Sequence, residues 1–328
     1  MTTRRRILIA LGAGVLAEAL PVLAQQKGKV WRIGFLGAST ASGFARRVEA
    51  LRAGLRDFGY VEGRNIVIEF RWAEGKYERL PQLAAELVRL KVDVIVTHGN
   101  PGTRAAKTAT STVPIVMATV GDPVGQGLVA GLARPGGNVT GSTGINPETY
   151  AKRLELLHDA FPRARKVAVL FNLDNPSGIK AIVQTMEGTA AALKLELQQF
   201  GVRGPDEFDS AFAAMAKQRV DAVVVGDDAV LTANAKAIAN LATKMRLPSI
   251  GLSEFAEAGG LMAYGANRVE SFRRVAYFVD KIFKGAKPGD LPVEQAAKFE
   301  VILNLNTAKA LGIKFPQSIL VRADRVIE

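Results

Sequence analysis

Short runs of β-branched and aliphatic residues alternate with helical stretches along almost the whole chain, and they do so in two successive series. The first series comprises Val30–Leu36, Ile66–Trp72, Val92–Thr97 and Ile115–Thr119. The second comprises Val167–Phe171, Leu195–Gly201, Ala222–Val225, Ser249–Leu252 and Leu261–Tyr264. Several runs are continuously apolar, as expected of strands buried on both faces of a parallel sheet. Between them Glu78–Leu90, Ser177–Leu193 and Ala229–Met245 space Leu, Ala, Val and Ile at helical intervals. Alternation of β and α predicts an α/β fold in which helices cover both faces of an open sheet. Two series predict two such lobes, and 328 residues is the length of two ordinary domains.

The stretch Pro135-Gly136-Gly137-Asn138 separates the series and is the expected hinge, since hinge residues must absorb a change of φ and ψ. Beyond the second series, Val269–Lys284 reads as a further helix and Phe299–Asn304 as a strand that crosses back between lobes. The expected division is residues 28–143 with 268–298 for the first lobe and 144–267 with 299–328 for the second.

Residues 1–24 have a different character. Arg4, Arg5 and Arg6 precede an apolar run, Ile7 to Leu16, and Pro21-Val22-Leu23-Ala24 ends on a small residue. This is the order of a secretory signal, with cleavage expected after Ala24, and the paired arginines also suit the twin-arginine route. The apolar run is too short to span a bilayer, which takes about 20 residues. The sequence has no cysteine, which excludes disulfides, thiolate metal sites and a lipidated cysteine at the cleavage point. The expectation is a protein free in the periplasm and not lipid-anchored. The formal charge of +12 falls to +10 once three arginines and Glu18 leave with the signal. Lys and Arg are scattered among acids with no dense basic run, so a solvated surface is expected and a nucleic-acid partner is not.

In open α/β sheets the ligand crevice lies at the carboxyl ends of the strands. Here those ends run into Asn100-Pro101, Asp122-Pro123 and Asn175-Pro176, each expected to cap a helix. Further strand ends carry Ala38-Ser39, Asp227-Asp228 and Ser253-Glu254. Helix N-termini in such a crevice present free N–H groups to an anion. The expected arrangement puts a ligand carboxylate near Ser39 or Asn100, and an amine against Asp227 or Asp228, then Glu254, with Asp122 divided between a contact and a cap. His98 lies at a strand end and can reach a ligand; His158 belongs to the helix Tyr150–Ala160 near the junction. No nucleophile elbow, P-loop or dinucleotide fingerprint is present, and neither histidine has a carboxylate partner nearby in sequence. No metal-ligand spacing is present either. Neither a catalytic role nor a cofactor is expected.

Three segments carry a family resemblance. They are Tyr60-Val61-Glu62-Gly63-Arg64-Asn65-Ile66 with Arg71-Trp72-Ala73-Glu74-Gly75; Gly121-Asp122-Pro123-Val124-Gly125 continuing to Arg134-Pro135-Gly136-Gly137-Asn138-Val139-Thr140-Gly141; and Asn306-Thr307-Ala308-Lys309-Ala310-Leu311-Gly312-Ile313. Together they resemble the ABC-transporter substrate-binding family that includes the tryptophan-binding TrpX-like proteins. The resemblance implies a type I periplasmic-binding fold, two lobes joined by three crossovers, a small-molecule ligand such as an amino acid or related carboxylate, and a permease partner in the inner membrane. It implies pocket loops at Ala38 and Ser39, at His98, Gly99, Asn100 and Pro101, at Asp122, at Asp227 and Asp228, at Ser253 and Glu254, and from Tyr264 to Asn267. The loops Thr97–Gly102 and Gly226–Ala229 depart from the amino-acid-binding pattern. A monomer is expected. The competing readings are an exported sensor subunit that reports to a membrane receptor, an α/β enzyme, and the effector domain of a transcription regulator; the last would begin with a helix-turn-helix, where this chain begins with an export signal.

Overall fold

The computed structural model describes residues 29–145, 147–176, 179–296 and 298–328. The export segment expected at 1–24 lies outside the described residues, as do Ser177 and Gly178 at the expected start of a helix. The body of the chain is Trp31–Glu328.

The body begins with β1 (Trp31–Gly37), α1 (Ala41–Asp57), β2 (Ile66–Trp72), α2 (Leu80–Arg89), β3 (Val94–His98), α3 (Gly99–Ala109), β4 (Ile115–Gly121) and β5 (Val139–Ile145). It continues through α4 (Pro147–Ala160), β6 (Lys166–Asn172), α5 (Ile179–Ala192), β7 (Glu196–Val202), α6 (Phe208–Lys217) and β8 (Ala222–Val225). Next come α7 (Ala229–Ala233), α8 (Ala235–Lys244), β9 (Ser249–Gly251), α9 (Ser253–Glu257) and β10 (Met262–Ala266). The remainder is α10 (Arg268–Phe283), β11 (Glu294–Gln295), β12 (Phe299–Asn304), α11 (Leu305–Leu311), α12 (Gln317–Leu320) and β13 (Arg325–Ile327).

Two sheets result. The first has the order β11-β5-β4-β3-β1-β2, all parallel, and the second β13-β12-β10-β9-β8-β6-β7. The second is parallel from β7 to β10; β12 then runs antiparallel to β10, with β13 parallel to β12. The reversal follows from the route of the chain. It leaves the first sheet after β5, returns after β10 through α10, and leaves again after β11, so β12 enters the second sheet from the opposite direction. The fold is thus the two-lobed α/β architecture expected, with three passages between lobes.

Each sheet is buried by apolar residues on both faces. In the first lobe Leu36, Ile95 and Met117 pack under α2, while Ile33, Phe35, Val94 and Val116 pack under α1 and α10. Burial of one such Leu, Ile or Phe side chain is worth about 1.5–3 kcal/mol, which is why continuous apolar strands hold the centre of each lobe.

Four local expectations are corrected. Asp122-Pro123 does not open a helix: Asp122 has a left-handed backbone (φ +38°), its Oδ1 accepts from the Gly125 N–H, and the following residues form turns. Asn100 is not a cap; α3 starts one residue earlier, at Gly99. The helix expected over 229–245 breaks at Asn234 into α7 and α8. Finally, Pro135–Asn138 is not a passage between lobes, because it leads into β5 of the first sheet, where the Gly136 N–H donates to the Gly289 carbonyl. β5 itself, Val-Thr-Gly-Ser-Thr-Gly-Ile, has its β-branched residues interrupted by two glycines and a serine. It pairs with β4 at a spacing that only glycine permits at position 141, where φ is +131° and a Cβ would stand 2.0 Å from the Met117 carbonyl oxygen.

Candidate functional site

The carboxyl ends of β1, β3 and β4 in the first lobe face those of β6 and β8 in the second, and a cavity of about 200 Å³ lies between them. Of the residues singled out from sequence, Ala38, His98, Gly99, Asn100, Asp122, Asp227 and Asp228 line it; Ser39, Ser253, Glu254, Tyr264 and Asn267 do not. Ser39 is buried, and its carbonyl accepts from the Glu74 N–H. Tyr264 stacks on Phe299 in the second lobe. Asn267 caps α10 by accepting from the Glu270 N–H. Ser253 hydrogen-bonds Glu254, and that carboxylate pairs with Arg47 of the first lobe.

The first-lobe wall is assembled on α1 and β3. Thr40 caps α1 by accepting from the Gly43 N–H, and one turn on Phe44 and Arg47 project to the cavity. The Phe44 ring lies 4.3 Å from the His98 ring, centroid to centroid, and the Arg47 guanidinium carbon lies 4.5 Å from the Phe44 ring centroid. His98 Nε2 accepts from the Ala38 N–H, so the neutral ring carries its proton on Nδ1. Burial, reinforced by Arg47 and Arg268, holds its pKa down at about 3. The Asn100 side-chain Oδ1 accepts from the Gly121 N–H, which pins the loop after β4. There the β4–β5 register shifts, and Thr119, a β-branched residue with φ +51°, lines the cavity. Such a conformation costs about 1–3 kcal/mol and collects at functional sites.

The second-lobe wall has an apolar and a charged part. Val169, Phe171, Ile179, Ile182 and Val183 provide the apolar surface. The charged part centres on Asp227, which is buried between two arginines. Arg153 of α4 donates from Nη1 to Asp227 Oδ1 at 2.7 Å and from Nε to the Tyr264 carbonyl at 2.8 Å. Arg268, the first residue of α10, brings Nη2 to 3.5 Å from Asp227 Oδ2. The Asp227 N–H donates to the Tyr150 hydroxyl at 2.6 Å. Burial lowers the pKa of Arg268 despite Asp227 and Glu254, whereas for Arg153 the attraction of Asp227 outweighs burial. Arg153 Nη2, Arg268 Nη2 and Asp227 Oδ2 are buried with no hydrogen-bond partner. Buried polar atoms left unpaired cost about 1–3 kcal/mol each; Arg268 and Asp227 line the cavity, and Arg153 stands behind them, outside the lining.

Asp228 is differently placed. Its Oδ1 accepts from Val230 N–H and Asn172 Nδ2, and its Oδ2 from Asn175 Nδ2 and, across the cleft, from the Tyr77 hydroxyl at 2.8 Å. Burial and the Asp228 charge raise the Tyr77 pKa, which keeps the phenol a donor. Other links cross the cleft as well. Arg47 donates from Nε and Nη2 to Glu254 Oε1, and Arg46 pairs with Glu257. Val230 of α7 packs into the apolar core of the first lobe. Gly43 of α1 meets Ala233 of α7 so closely that a Cβ on Gly43 would stand 2.7 Å from the alanine methyl. The lobes are therefore closed on one another.

Five functional candidates were not found from sequence: Arg47, Arg153, Arg268, Tyr77 and Tyr150. The signal for the arginines lay in the helical pattern. Each stands in the apolar stripe of its helix, as Arg153 does among Tyr150, Leu154 and Leu157. Among the described residues no group of three or more His, Asp or Glu side chains is placed to hold a metal ion.

Residues 40–327 match the family described as ABC transporter substrate binding protein. A tyrosine-binding protein of Clostridioides difficile is 29% identical over 261 residues, which is 79% of this chain and 74% of that protein. Among solved structures, a conserved domain protein from Vibrio cholerae superposes with a TM-score of 0.84 at 26% identity, covering 91% of this chain and 100% of the other. The complex of an ABC domain with L-Trp from Streptococcus pneumonia superposes with a TM-score of 0.82 at 26% identity, covering 90% and 99%. The ligand-free, open structure of a substrate-binding protein with adhesive properties from Clostridium difficile gives 0.64 at 25% identity, covering 91% and 99%.

Proposed function

The chain belongs to the ABC transporter substrate-binding protein family, and from that premise we propose that it is the extracytoplasmic solute-binding component of an importer, taking a small ligand in the cavity between its lobes. Members of this family bind substrate and are not enzymes. The observation that carries the reading of the cavity is the pair Arg268 and Asp227, which line it beside an apolar wall and are buried with hydrogen-bonding capacity left open, with Arg153 behind them. A small number of polar groups in a mainly apolar pocket is the usual make-up of a small-molecule site. The ligand class is an amino acid or a related carboxylate with an apolar body. Relatives bind tyrosine and L-Trp; Phe44, Phe171 and Phe272 would flank such a body here.

The moving parts are residues 28–143 with 268–298 and residues 144–267 with 299–328, rotating about the three passages. Links that cross the cleft, and a better superposition on the L-Trp complex than on the open protein at nearly equal identity, support the described conformation as the closed one. A ligand that touches both walls favours this state over the open one by its differential affinity. Secretion through the segment 1–24, cleavage after Ala24, a periplasmic location and a permease partner complete the proposal. No described helix is long and apolar enough to cross a membrane.

The test is a thermal-shift screen of the purified mature chain against amino acids and small carboxylates, followed by calorimetry and small-angle scattering. A stabilising ligand that binds one to one, returns unchanged and reduces the radius of gyration of an open apo form is the expected result. Absence of any stabilising ligand together with ligand turnover would turn the reading toward an enzyme.

A further inference from the structure

The geometry points to a single-anion head-group site at Arg268: the ligand is recognised as a carboxylate on an apolar body, and no ammonium group is required. This rests on the reading of the cavity as the solute site and names the ligand chemistry it selects.

The argument is one of charge and hydrogen-bond inventory. The groups that face Arg268 are Asp227, Glu254, Arg47 and Tyr150, with Arg153 behind Asp227. Three arginines thus stand against two carboxylates around Arg268, and this largely buried cluster carries one surplus positive charge that an incoming anion stabilises. Asp228, the other buried carboxylate of the cavity, is held by neutral donors at the opposite side. Arg268 Nη2 is a donor without an acceptor beside the cavity, Asp227 Oδ2 is the open acceptor next to it, and Arg153 Nη2 is a second open donor behind them; both arginines are at most 6% exposed. Arg268 lines the cavity. Its guanidinium edge can take one oxygen of a carboxylate while the neighbouring Asp227 Oδ2 stays within 3.5 Å of the same Nη2.

An ammonium finds no comparable place. Asp227 is ion-paired with two guanidinium groups, and although its Oδ2 accepts no hydrogen bond, a third cation beside it would add to the surplus. Glu254 is taken by Arg47. Asp228 accepts from Tyr77, Asn172, Asn175 and the start of α7, with donors on both oxygens. Asp122 is exposed and accepts from the Gly125 N–H. His98 is neutral and its cavity-side neighbours are Phe44 and Phe272. Asn175 Oδ1, an unpaired neutral acceptor on the Asp228 side, suits a hydroxyl or amide N–H rather than a charge.

A matched set of four probes separates the two head groups: 3-phenylpropanoate (carboxylate alone), L-phenylalanine (both), L-phenylalaninamide (ammonium alone) and 3-phenylpropanamide (neither). Calorimetry on the wild-type chain should find the two acids bound, 3-phenylpropanoate at least as tightly as L-phenylalanine, and the two amides weaker by ten-fold or more. Arg268→Gln should reduce affinity for 3-phenylpropanoate by ten-fold or more and leave the amides unchanged; if that variant fails to fold, the wild-type series still decides. Equal binding of acids and amides would overturn the anion site while leaving the cavity a solute site. L-Phenylalanine tighter than 3-phenylpropanoate by ten-fold would overturn it in favour of an ammonium contact. Absence of binding for all four would remove the cavity as a site for aryl-bodied solutes, and the inference with it.

Discussion

Arg47 of α1 reaches across the cleft and places both Nε and Nη2 on Glu254 Oε1 of α9, so that a single side chain forms part of the cavity wall and also ties one lobe to the other. Because only the closed form contains the pair, replacing Glu254 shifts the opening equilibrium. Removing one partner of a buried pair costs about 3–5 kcal/mol, and Glu254 retains 18% side-chain exposure, so we expect the lower part of that range. Glu254→Gln should weaken ligand binding by about ten-fold or more and enlarge the radius of gyration measured at a ligand concentration that closes the wild type. An unchanged scattering profile would mean that the pair contributes nothing to closure.

The same carboxylate sets an acid limit for closure. Burial raises the Glu254 pKa, but Arg47 and Arg268 more than offset this and hold it at about 2, below the ordinary 4.5. A depressed carboxylate pKa stabilises the closed form fully above the ordinary value, and the contribution is lost as pH falls through the depressed one. Scattering of the ligand-bound protein should therefore be constant from pH 7 to 5 and show opening between about pH 4.5 and 2, a transition weaker in Glu254→Gln.

His98 acts at milder pH. Its folded pKa of about 3 lies below the ordinary 6.5, so the unfolded chain binds a proton first as pH falls. Stability is undiminished above pH 6.5 and declines below it, by about 1.4 kcal/mol per pH unit for one such group, or about 2 kcal/mol between pH 6.5 and 5. Melting temperatures measured over this interval should fall less steeply in His98→Asn than in the wild type. Identical slopes would place the titration elsewhere.

Asp227→Asn and Asp228→Asn should both lower the apo melting temperature by several degrees. The first leaves Arg153, fully buried, without its counter-charge. The second keeps the cap on α7 but presents an amide where Asn172 and Asn175 also point amides. Breaking a buried ion pair such as Arg153–Asp227 costs about 3–5 kcal/mol, and losing a hydrogen bond to a buried charge such as Asp228 about 1.5–3 kcal/mol. A melting temperature equal to wild type in Asp228→Asn would reduce Asp228 to a plain cap.

Secretion is tested by mass. Protein recovered from a periplasmic extract should begin at Gln25, and full-length chain confined to the cytosol would remove the localisation from the proposal.

The two-sheet fold was legible because strands buried on both faces have to be continuous apolar runs; β8 coincides with the run read at 222–225, and β6 extends the run read at 167–171 by one residue at each end. β5 was not legible, since two glycines and a serine break up its β-branched residues and its close fit on β4 at Gly141 is a tertiary contact. The strand-end rule brought His98, Asn100, Asp227 and Asp228 to the cavity. It could not distinguish an acid open to ligand from one already engaged, because Arg153 lies 74 positions from Asp227 and Tyr77 lies 151 from Asp228. The arginines sat in apolar stripes, where a charged residue is seldom found unless paired, and that rule applied to helices would have located the charged end of the site.

The contact of Gly43 with Ala233 gives closure a hard stop. With no flexible side chain at this seam, the lobes have almost no slack, and a solute too bulky to let Gly43 seat against Ala233 would hold the jaws ajar along their whole rim. The seam then works as a gauge of cargo size, read at a point that the cargo never touches. Gly43→Val should prop the clamp open in the same way without any cargo, yielding a chain that folds but cannot complete its grip.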